Sequence, residues 1–389
     1  MTDLKICIAT TAFPRWADDF RGIFVYEAAR ALVKHGCQVK VVAMHNPGAQ
    51  THEVLDGIQV FRPPYAPQNW EILQRDSAGI PAAWKARPWA RLLLIPFFLR
   101  HTVALAKHAA DCDLIHANWT LSAISAWAGY PFHHKPWLVT VQGSDIFQAG
   151  KIASIRAVTR QALKKTRQVL ALSESLAAET SRVAGIPQAR IQVVPNGVNL
   201  ANFPFAEPQT RENLLLFVGT FIERKGGQHL IAALPQVLER FPGYQLAMVG
   251  EGPLRPDWQA QINHLGLQDR VRLVGTRTQA EISAWMRRAR LFVLPSLEEG
   301  QGVVLVEALA SGLPCLGTTA GGIPDVITPA VGRLVRPGSP GELGQAICDI
   351  LEDQTGWEAM CFAARQRAES QYDWEQIAAR LVEIYQQVR

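Results

Sequence analysis

The feature that most constrains this chain is an alternation that runs through it twice: short apolar runs, each followed by a stretch with helical periodicity. In residues 1–195 the apolar runs are Ile6–Ala9, Val39–Ala43, Leu114–His116, Leu138–Gln142, Val169–Leu172 and Ile191–Val194. A second series starts at Leu214–Val218 and continues through Gln245–Val249, Val271–Val274, Leu291–Leu294 and Pro314–Gly317. Strands that alternate with helices are joined by crossovers, so the pattern predicts an α/β fold with parallel sheets covered by helices on both faces. At 389 residues the chain is long for one core and comfortable for two domains of about 150 to 200 residues. The 48% hydrophobic share suits buried parallel sheets and excludes a disordered chain. The boundaries expected are a Rossmann-like domain over 1–195, a turn-rich linker over 196–212, and a second Rossmann-like domain over 213–370. Residues 371–389 close the chain with an amphipathic helix, Asp373–Tyr385 being its strongest part.

Charge and cysteine usage narrow the setting. The net charge is +5, but residues 1–200 carry 22 Lys and Arg against 13 Asp and Glu, or +9, and the remainder carries 17 against 21, or −4. A basic first half fits an anionic acceptor or a membrane surface, and equally a merely soluble basic domain. No nucleic-acid partner is expected. Six scattered cysteines with no C-x-x-C pair read as core fillers in a reducing cytoplasm, neither a disulfide frame nor a metal site. Met1 leads directly into the first strand with no room for a signal peptide, and the longest apolar run, Leu92–Leu99, is too short to span a bilayer. The expected location is the cytoplasm, with peripheral attachment to the inner face of the membrane as the alternative. For that alternative the stretch is Trp84–His101, where two tryptophans and four cations surround the apolar run. Such a composition suits a helix lying in the bilayer interface. Leu92–Ala106 could also be a core helix bent at Pro96.

The chemistry concentrates in Pro295–Pro314. Leu291–Leu294 reads as a strand, Pro295–Gln301 as a turn, and Gly302–Ser311 as a helix stopped by Gly312 and Pro314. This places Glu299 in the loop and Glu307 roughly one and a half turns into the helix. Between them the first helical turn presents unpaired amides to a phosphate. A loop acid before an ordinary amphipathic helix would look similar. Glu307, however, is flanked by Val, Leu and Ala on both sides, and a charge there needs a partner.

The whole string resembles the E-x7-E signature of the retaining glycosyltransferases of family 4. That resemblance implies the GT-B fold: two Rossmann-like domains facing across a cleft, with the last helix crossing back to the first. In the family the helix acid holds the nucleotide ribose and the loop acid faces the donor sugar, roles that fall on Glu307 and Glu299. Gly300, Gly302 and Val303 are then donor-binding. Gly219-Thr-Phe-Ile-Glu-Arg-Lys-Gly-Gly227 matches the phosphate loop, with Lys225 at the phosphate lysine. The usual arginine is here Thr220, and Arg224 is its candidate replacement. Gly250 and Gly252 form a turn near the donor, and Thr276 lies in the segment that contacts the base. Thr318-Thr-Ala-Gly-Gly-Ile-Pro-Asp325 matches the glycine pair followed by an acid. On the acceptor side Arg21-Gly22 resembles the family's glycine loop.

Two departures stand out. Gln142-Gly-Ser-Asp145 has Gln where the family has His, and Gln cannot act as acid or base at neutral pH. Asp113-Leu-Ile-His-Ala-Asn118 keeps His116 but has Asn at the second histidine. Gln142 is still placed among the catalytic residues, and His116 and Asp145 on the acceptor side; taken alone, His116 reads as a core histidine. The resemblance implies a retaining, metal-independent hexosyltransferase with a nucleotide diphosphate sugar as co-substrate and no cofactor. Its acceptor would be a glycan, a lipid-linked molecule or a small molecule, as in polysaccharide biosynthesis. The alternatives are a same-fold nucleotide-sugar epimerase and a non-catalytic sugar-nucleotide-binding subunit.

Overall fold

Strand β1 (Lys5–Ala9) buries four of its five residues, as a run without polar alternation must in a sheet covered on both faces. The computed structural model describes residues 4–16, 19, 21–74, 80 and 87–389, and it divides into two units: Met1–Asn196 with Trp374–Arg389, and Gly197–Asp373. In the first unit β1 lies between β2 (Gln38–Val42) and β5 (Leu114–Asn118), parallel to both. With β3 (His52–Leu55), β4 (Ile58–Phe61), β6 (Trp137–Val141), β7 (Gln168–Ala171) and β8 (Ile191–Val193) it forms an eight-stranded sheet in the order 3-4-2-1-5-6-7-8.

Every pairing in this sheet is parallel except β3 with β4, a hairpin absent from the alternation described above. Its turn is Asp56-Gly57, with φ of 46° and 81°. A two-residue turn needs both residues left-handed to match strand twist, and Asp-Gly is a standard solution. β3 escapes notice because it is a four-residue outer edge strand whose sequence, with His52 and Val54 exposed, holds no buried apolar run.

The helices of this unit are α1 (Ile23–Lys34), α2 (Leu94–Ala109), α3 (Trp119–His133), α4 (Ser144–Lys151), α5 (Ala153–Lys165) and α6 (Glu174–Ala184). One sheet face packs on α1 and on the chain's last helix, Trp374–Val388, which contributes Trp374, Ile377, Leu381 and Tyr385 to the same core as Ile6, Ile8, Val39 and Val41. The remaining helices cover the other face, where Cys7, Ile115 and Val139 are buried.

The second unit is a six-stranded, wholly parallel sheet: β9 (Leu214–Val218), β10 (Gln245–Val249), β11 (Val271–Gly275), β12 (Leu291–Leu294), β13 (Cys315–Thr318) and β14 (Gly332–Val335), in the order 11-10-9-12-13-14. Its helices are α7 (Gly227–Arg240), α8 (Arg255–His264), α9 (Gln279–Arg288), α10 (Val303–Ala310), α11 (Ile323–Val326), α12 (Pro340–Glu352) and α13 (Gln354–Gln371). Strand β14 was not among the apolar runs, because Gly332-Arg333 opens it.

The segment expected to be a linker is instead built into the second unit. Phe203 is fully buried in its core, and buried Arg211 donates to the carbonyls of Ala206, Met286, Ala289, Ser311 and Gly312 at 2.6–3.2 Å. A guanidinium supplies five N–H groups in a rigid fork, so one residue gathers three chain segments: the turn at Ala206 and the C-terminal ends of α9 and α10. All six cysteines are buried, and none is in a disulfide.

Candidate active site

From β9 the second unit winds outward to β11, then returns to the other side of β9 with β12. Such a reversal of strand order leaves the loops after β9 and β12 diverging at the carboxyl ends, where open α/β sheets bind ligands. These two loops carry the residues singled out above.

The loop after β9 turns at Gly219, whose N–H donates to Val249 O at 3.0 Å, and Gly250 N–H in turn donates to Gly275 O at 3.0 Å. Thr220 lies in this turn, its carbonyl accepting from Ile222 N–H, and Gly252 lies in the neighbouring turn, with its carbonyl accepting from Arg255 N–H. Thr276 follows β11, and its carbonyl takes Arg277 Nη1 at 2.8 Å. A short helical turn, Glu223–Lys225, then leads through Gly226 into α7. Gly226 has φ 70°, and a Cβ there would lie 1.9 Å from Pro295 O. Only glycine allows the two loops to touch so closely. Leu297 N–H donates to Arg224 O at 2.7 Å across the same contact.

This approach pairs the Lys225 ammonium with the Glu299 carboxylate, both largely buried. Glu299 also accepts from Gly300 N–H at 3.3 Å and lies 3.5 Å from Ser296 Oγ. Its carbonyl takes Gly322 N–H, which ties in the loop after β13 and thereby the Gly321-Gly322 pair. Burial alone pushes the Glu299 carboxyl up, but the charges of Lys225 and Arg224 and the Gly300 amide outweigh it, and the group is held below the usual range. Glu299 is therefore a carboxylate at neutral pH, locked by a cation.

Glu307 behaves differently. It is buried in α10 among Leu305, Val306, Ala308 and Leu309, and desolvation pushes its pKa up to about 7, opposed only by a hydrogen bond from Gln279. Gln279 opens α9 behind a capping box made by Thr278 and Glu281, and its carbonyl oxygen accepts from Asn202 Nδ2 at 3.1 Å. Sequence reasoning missed Gln279 and Asn202. The capping box marks where α9 starts, but nothing in the sequence aims that helix at Glu307. The N-cap of α10 is Gly302 at φ 81°, and no side chain caps the first turn; Leu305 N–H donates to Gly302 O at 2.8 Å, so the amides offered to an anion are those of Val303 and Val304.

The first unit has its own reversal of strand order, between β1 and β5. Gly22 caps α1 from the loop after β1, with a would-be Cβ 2.3 Å from Ala12 O, and Arg21 of the same loop reaches the Gln74 carbonyl. After β5 and β6, Gln142 stands in a chain of amides: Asn196 Nδ2 donates to Gln142 Oε1 at 3.2 Å, and Gln142 Nε2 donates to Asn118 Oδ1 at 3.1 Å. The two positions that depart from the family's histidines thus bond to each other. Beneath them Asp145 accepts from Gln142 N–H at 3.1 Å and Thr120 N–H at 2.8 Å, and its burial raises the carboxyl's pKa against the pull of those amides. Asp145 positions the loop and the start of α3.

His116 is buried in the first unit. Its Nδ1 meets Tyr385 Oη at 2.7 Å and its Nε2 meets Thr140 Oγ1 at 2.8 Å. Burial pushes its pKa down to about 4. A neutral ring with both nitrogens engaged is a structural bridge between β5, β6 and the last helix.

A doubly wound parallel unit with a Lys–Glu pair at its reversal, in a chain with a second parallel-sheet unit, has the architecture of a GT-B glycosyltransferase. Residues 22–202 match Glycosyltransferase Family 4 and residues 212–353 match Glycosyl transferases group 1, and the chain belongs to the family 4 glycosyltransferases. It is 28% identical to the glycogen synthase of Mycobacterium tuberculosis over 98% of this chain and 94% of that one. Over 50% of this chain and 55% of that one, it is 32% identical to the GDP-mannose-dependent monoacylated alpha-(1-6)-phosphatidylinositol monomannoside mannosyltransferase of Corynebacterium glutamicum. In fold it resembles the sucrose-phosphate synthase of Thermosynechococcus elongatus, with a TM-score of 0.83 at 24% identity over 99% of both chains.

Proposed function

We propose that this glycosyltransferase moves a hexosyl group from a nucleotide diphosphate sugar to a hydroxyl of a glycan, lipid-linked or small-molecule acceptor, with retention at the anomeric carbon and without a divalent metal. The observation that carries the reading is the buried Lys225–Glu299 pair at the reversal of the second sheet, beside the uncapped first turn of α10. Lys225 and Arg224 with the first-turn amides supply the positive potential that a departing diphosphate needs, the work Mg²⁺ does elsewhere. Glu307 holds the ribose hydroxyls, and Glu299 faces the sugar. Departure and attack take place on one face: the bond from the anomeric carbon to the phosphate oxygen breaks, the acceptor oxygen bonds to that carbon, and its proton passes to the leaving phosphate. Such a path asks no acid or base of the first unit, which suits Gln142 in a wholly neutral amide chain. The names of the two relatives support a nucleotide sugar as donor and span a glycan and a lipid as acceptors. Six cysteines outside any disulfide suit a reducing compartment, and we place the reaction in the cytoplasm.

The test is to incubate the purified protein with UDP-, GDP- and ADP-sugars and candidate acceptors, with and without a chelator, beside a Glu299→Ala control. Release of the nucleotide diphosphate is followed, and the product's anomeric configuration is read by NMR. Transfer with the donor's configuration, unaffected by the chelator and abolished in the control, is expected. An inverted product sinks the retaining mechanism, and loss of activity in chelator sinks metal independence.

A further inference from the structure

Among the described residues most exposed large apolar side chains stand singly, but six gather on one face of the first unit. Trp70, Trp89, Leu92, Ile95, Leu99 and Val103 are each 47–68% exposed. Ile95, Leu99 and Val103 recur every four residues along α2 and form one stripe, which Leu92 extends backward into the short turn Pro88–Leu93. The stripe begins at a pair of indoles, Trp70 against Trp89, with ring centroids 6.0 Å apart. The opposite side of α2 is also apolar: Phe97, His101, Leu105 and Ala109 are buried, and His101 joins Ser125 Oγ at 3.0 Å and Val42 O at 3.3 Å. The core therefore accounts for the inner face of this helix, while among the described residues the outer face is exposed.

Residues 87–110 contain no Asp or Glu, and Arg87, Arg91, Arg100 and Lys107 are all exposed. A second copy of this face would bring like charges together without an acid to answer them, which disfavours self-association. An anionic lipid surface answers both features at once. Apolar side chains enter the acyl boundary, indoles sit at the head-group level, and long cationic side chains reach back to the phosphates.

We propose that this face, the outer stripe of α2 with Trp70 and Trp89, docks on the interface of an anionic phospholipid bilayer. The helix lies in the plane of the membrane and does not cross it. Pro88–Ala109 is 22 residues, long and apolar enough to span, which exceeds the eight-residue run visible as Leu92–Leu99. Spanning would strip Phe97, His101 and Leu105 from the domain that buries them. Trp84 and Lys85, which belong to the stretch with interfacial composition, lie outside the described residues. The proposal is independent of which sugar is transferred.

The test is co-sedimentation of the full-length protein with vesicles of phosphatidylcholine alone and of phosphatidylcholine with phosphatidylglycerol, at low and high salt. The parent should bind the anionic vesicles at low salt and release at high salt. Two triple variants follow, Ile95→Ser/Leu99→Ser/Val103→Ser and Arg87→Ala/Arg100→Ala/Lys107→Ala. Each should lose at least about tenfold in partitioning while its circular dichroism and its thermal shift with nucleotide diphosphate stay as in the parent. No binding of the parent to anionic vesicles at low salt overturns the proposal, as does equal binding by the serine variant. A parent that is dimeric in analytical ultracentrifugation and becomes monomeric on the serine substitutions also overturns it, because the face would then join two copies.

Discussion

Glu307 joins two opposing demands in one side chain, since a carboxylate suited to a ribose diol must first be desolvated inside an apolar helix. Its folded pKa of about 7 lies above the ordinary 4.5. Below pH about 4.5 both folded and unfolded states hold the proton and nothing is lost. Between about 4.5 and 7 the unfolded chain releases its proton first, so stability falls as pH rises, by a total on the order of 3 kcal/mol, and then levels off. Glu307→Gln removes this slope. We expect the variant to be more stable than the parent in urea unfolding at neutral pH, yet weaker in nucleotide binding, because an amide forms no charge-assisted bonds to the diol. An unchanged nucleotide dissociation constant would remove Glu307 from the binding site. In the parent, affinity for the nucleotide should tighten from about pH 6 to about pH 8 as the carboxyl ionises. Lys225 is the second residue-scale case. Lys225→Ala should lower turnover by roughly 10²-fold or more, the usual effect of losing one preorganised charge at a leaving group. It should also raise the pKa of Glu299, because burial then acts without its main counterweight. Equal turnover in variant and parent would exclude Lys225 from the chemistry.

At the scale of elements, the site depends on backbone loops that touch, and Gly226 is where they do so. Gly226→Ala would place a methyl group 1.9 Å from Pro295 O at a positive φ. The loops must separate, at a cost of roughly 2 kcal/mol or more, and the Lys225–Glu299 pair separates with them. Thermal unfolding should shift down and nucleotide binding weaken together; a variant with parental affinity would show that the contact does not shape the site. Legibility follows the same division. Glu299 and Glu307 were legible from their spacing around a strand end and helix start, in a string that resembles the family's E-x7-E signature, and Lys225 from the resemblance of its loop to the family's phosphate loop. The Asp56-Gly57 hairpin carried a sequence signal that the βα alternation obscured. Gln279 carried none, since its part depends on where α9 points.

At the scale of the whole molecule, the last helix belongs to the first unit. Truncation after Asp373 removes Trp374, Ile377, Leu381 and Tyr385 from that unit's core and takes a partner from His116. Limited proteolysis of the truncated chain should degrade the first unit and spare Gly197–Asp373; equal resistance of both would contradict the helix's role. Tyr385→Phe alone leaves a buried His116 nitrogen without a partner and should cost about 1–3 kcal/mol in urea unfolding. The sequence by itself determined the two parallel sheets and the acids of α10 and its loop, because strand and helix periods and motif spacing are local properties. Only the tertiary structure decided that His116 is a bridge, that residues 197–212 belong to the second unit, and that Leu92, Ile95, Leu99 and Val103 are exposed. Each depends on partners distant in the chain, Tyr385 lying 269 residues from His116. Periodicity shows which side chains are apolar, and packing alone determines which of them find a neighbour.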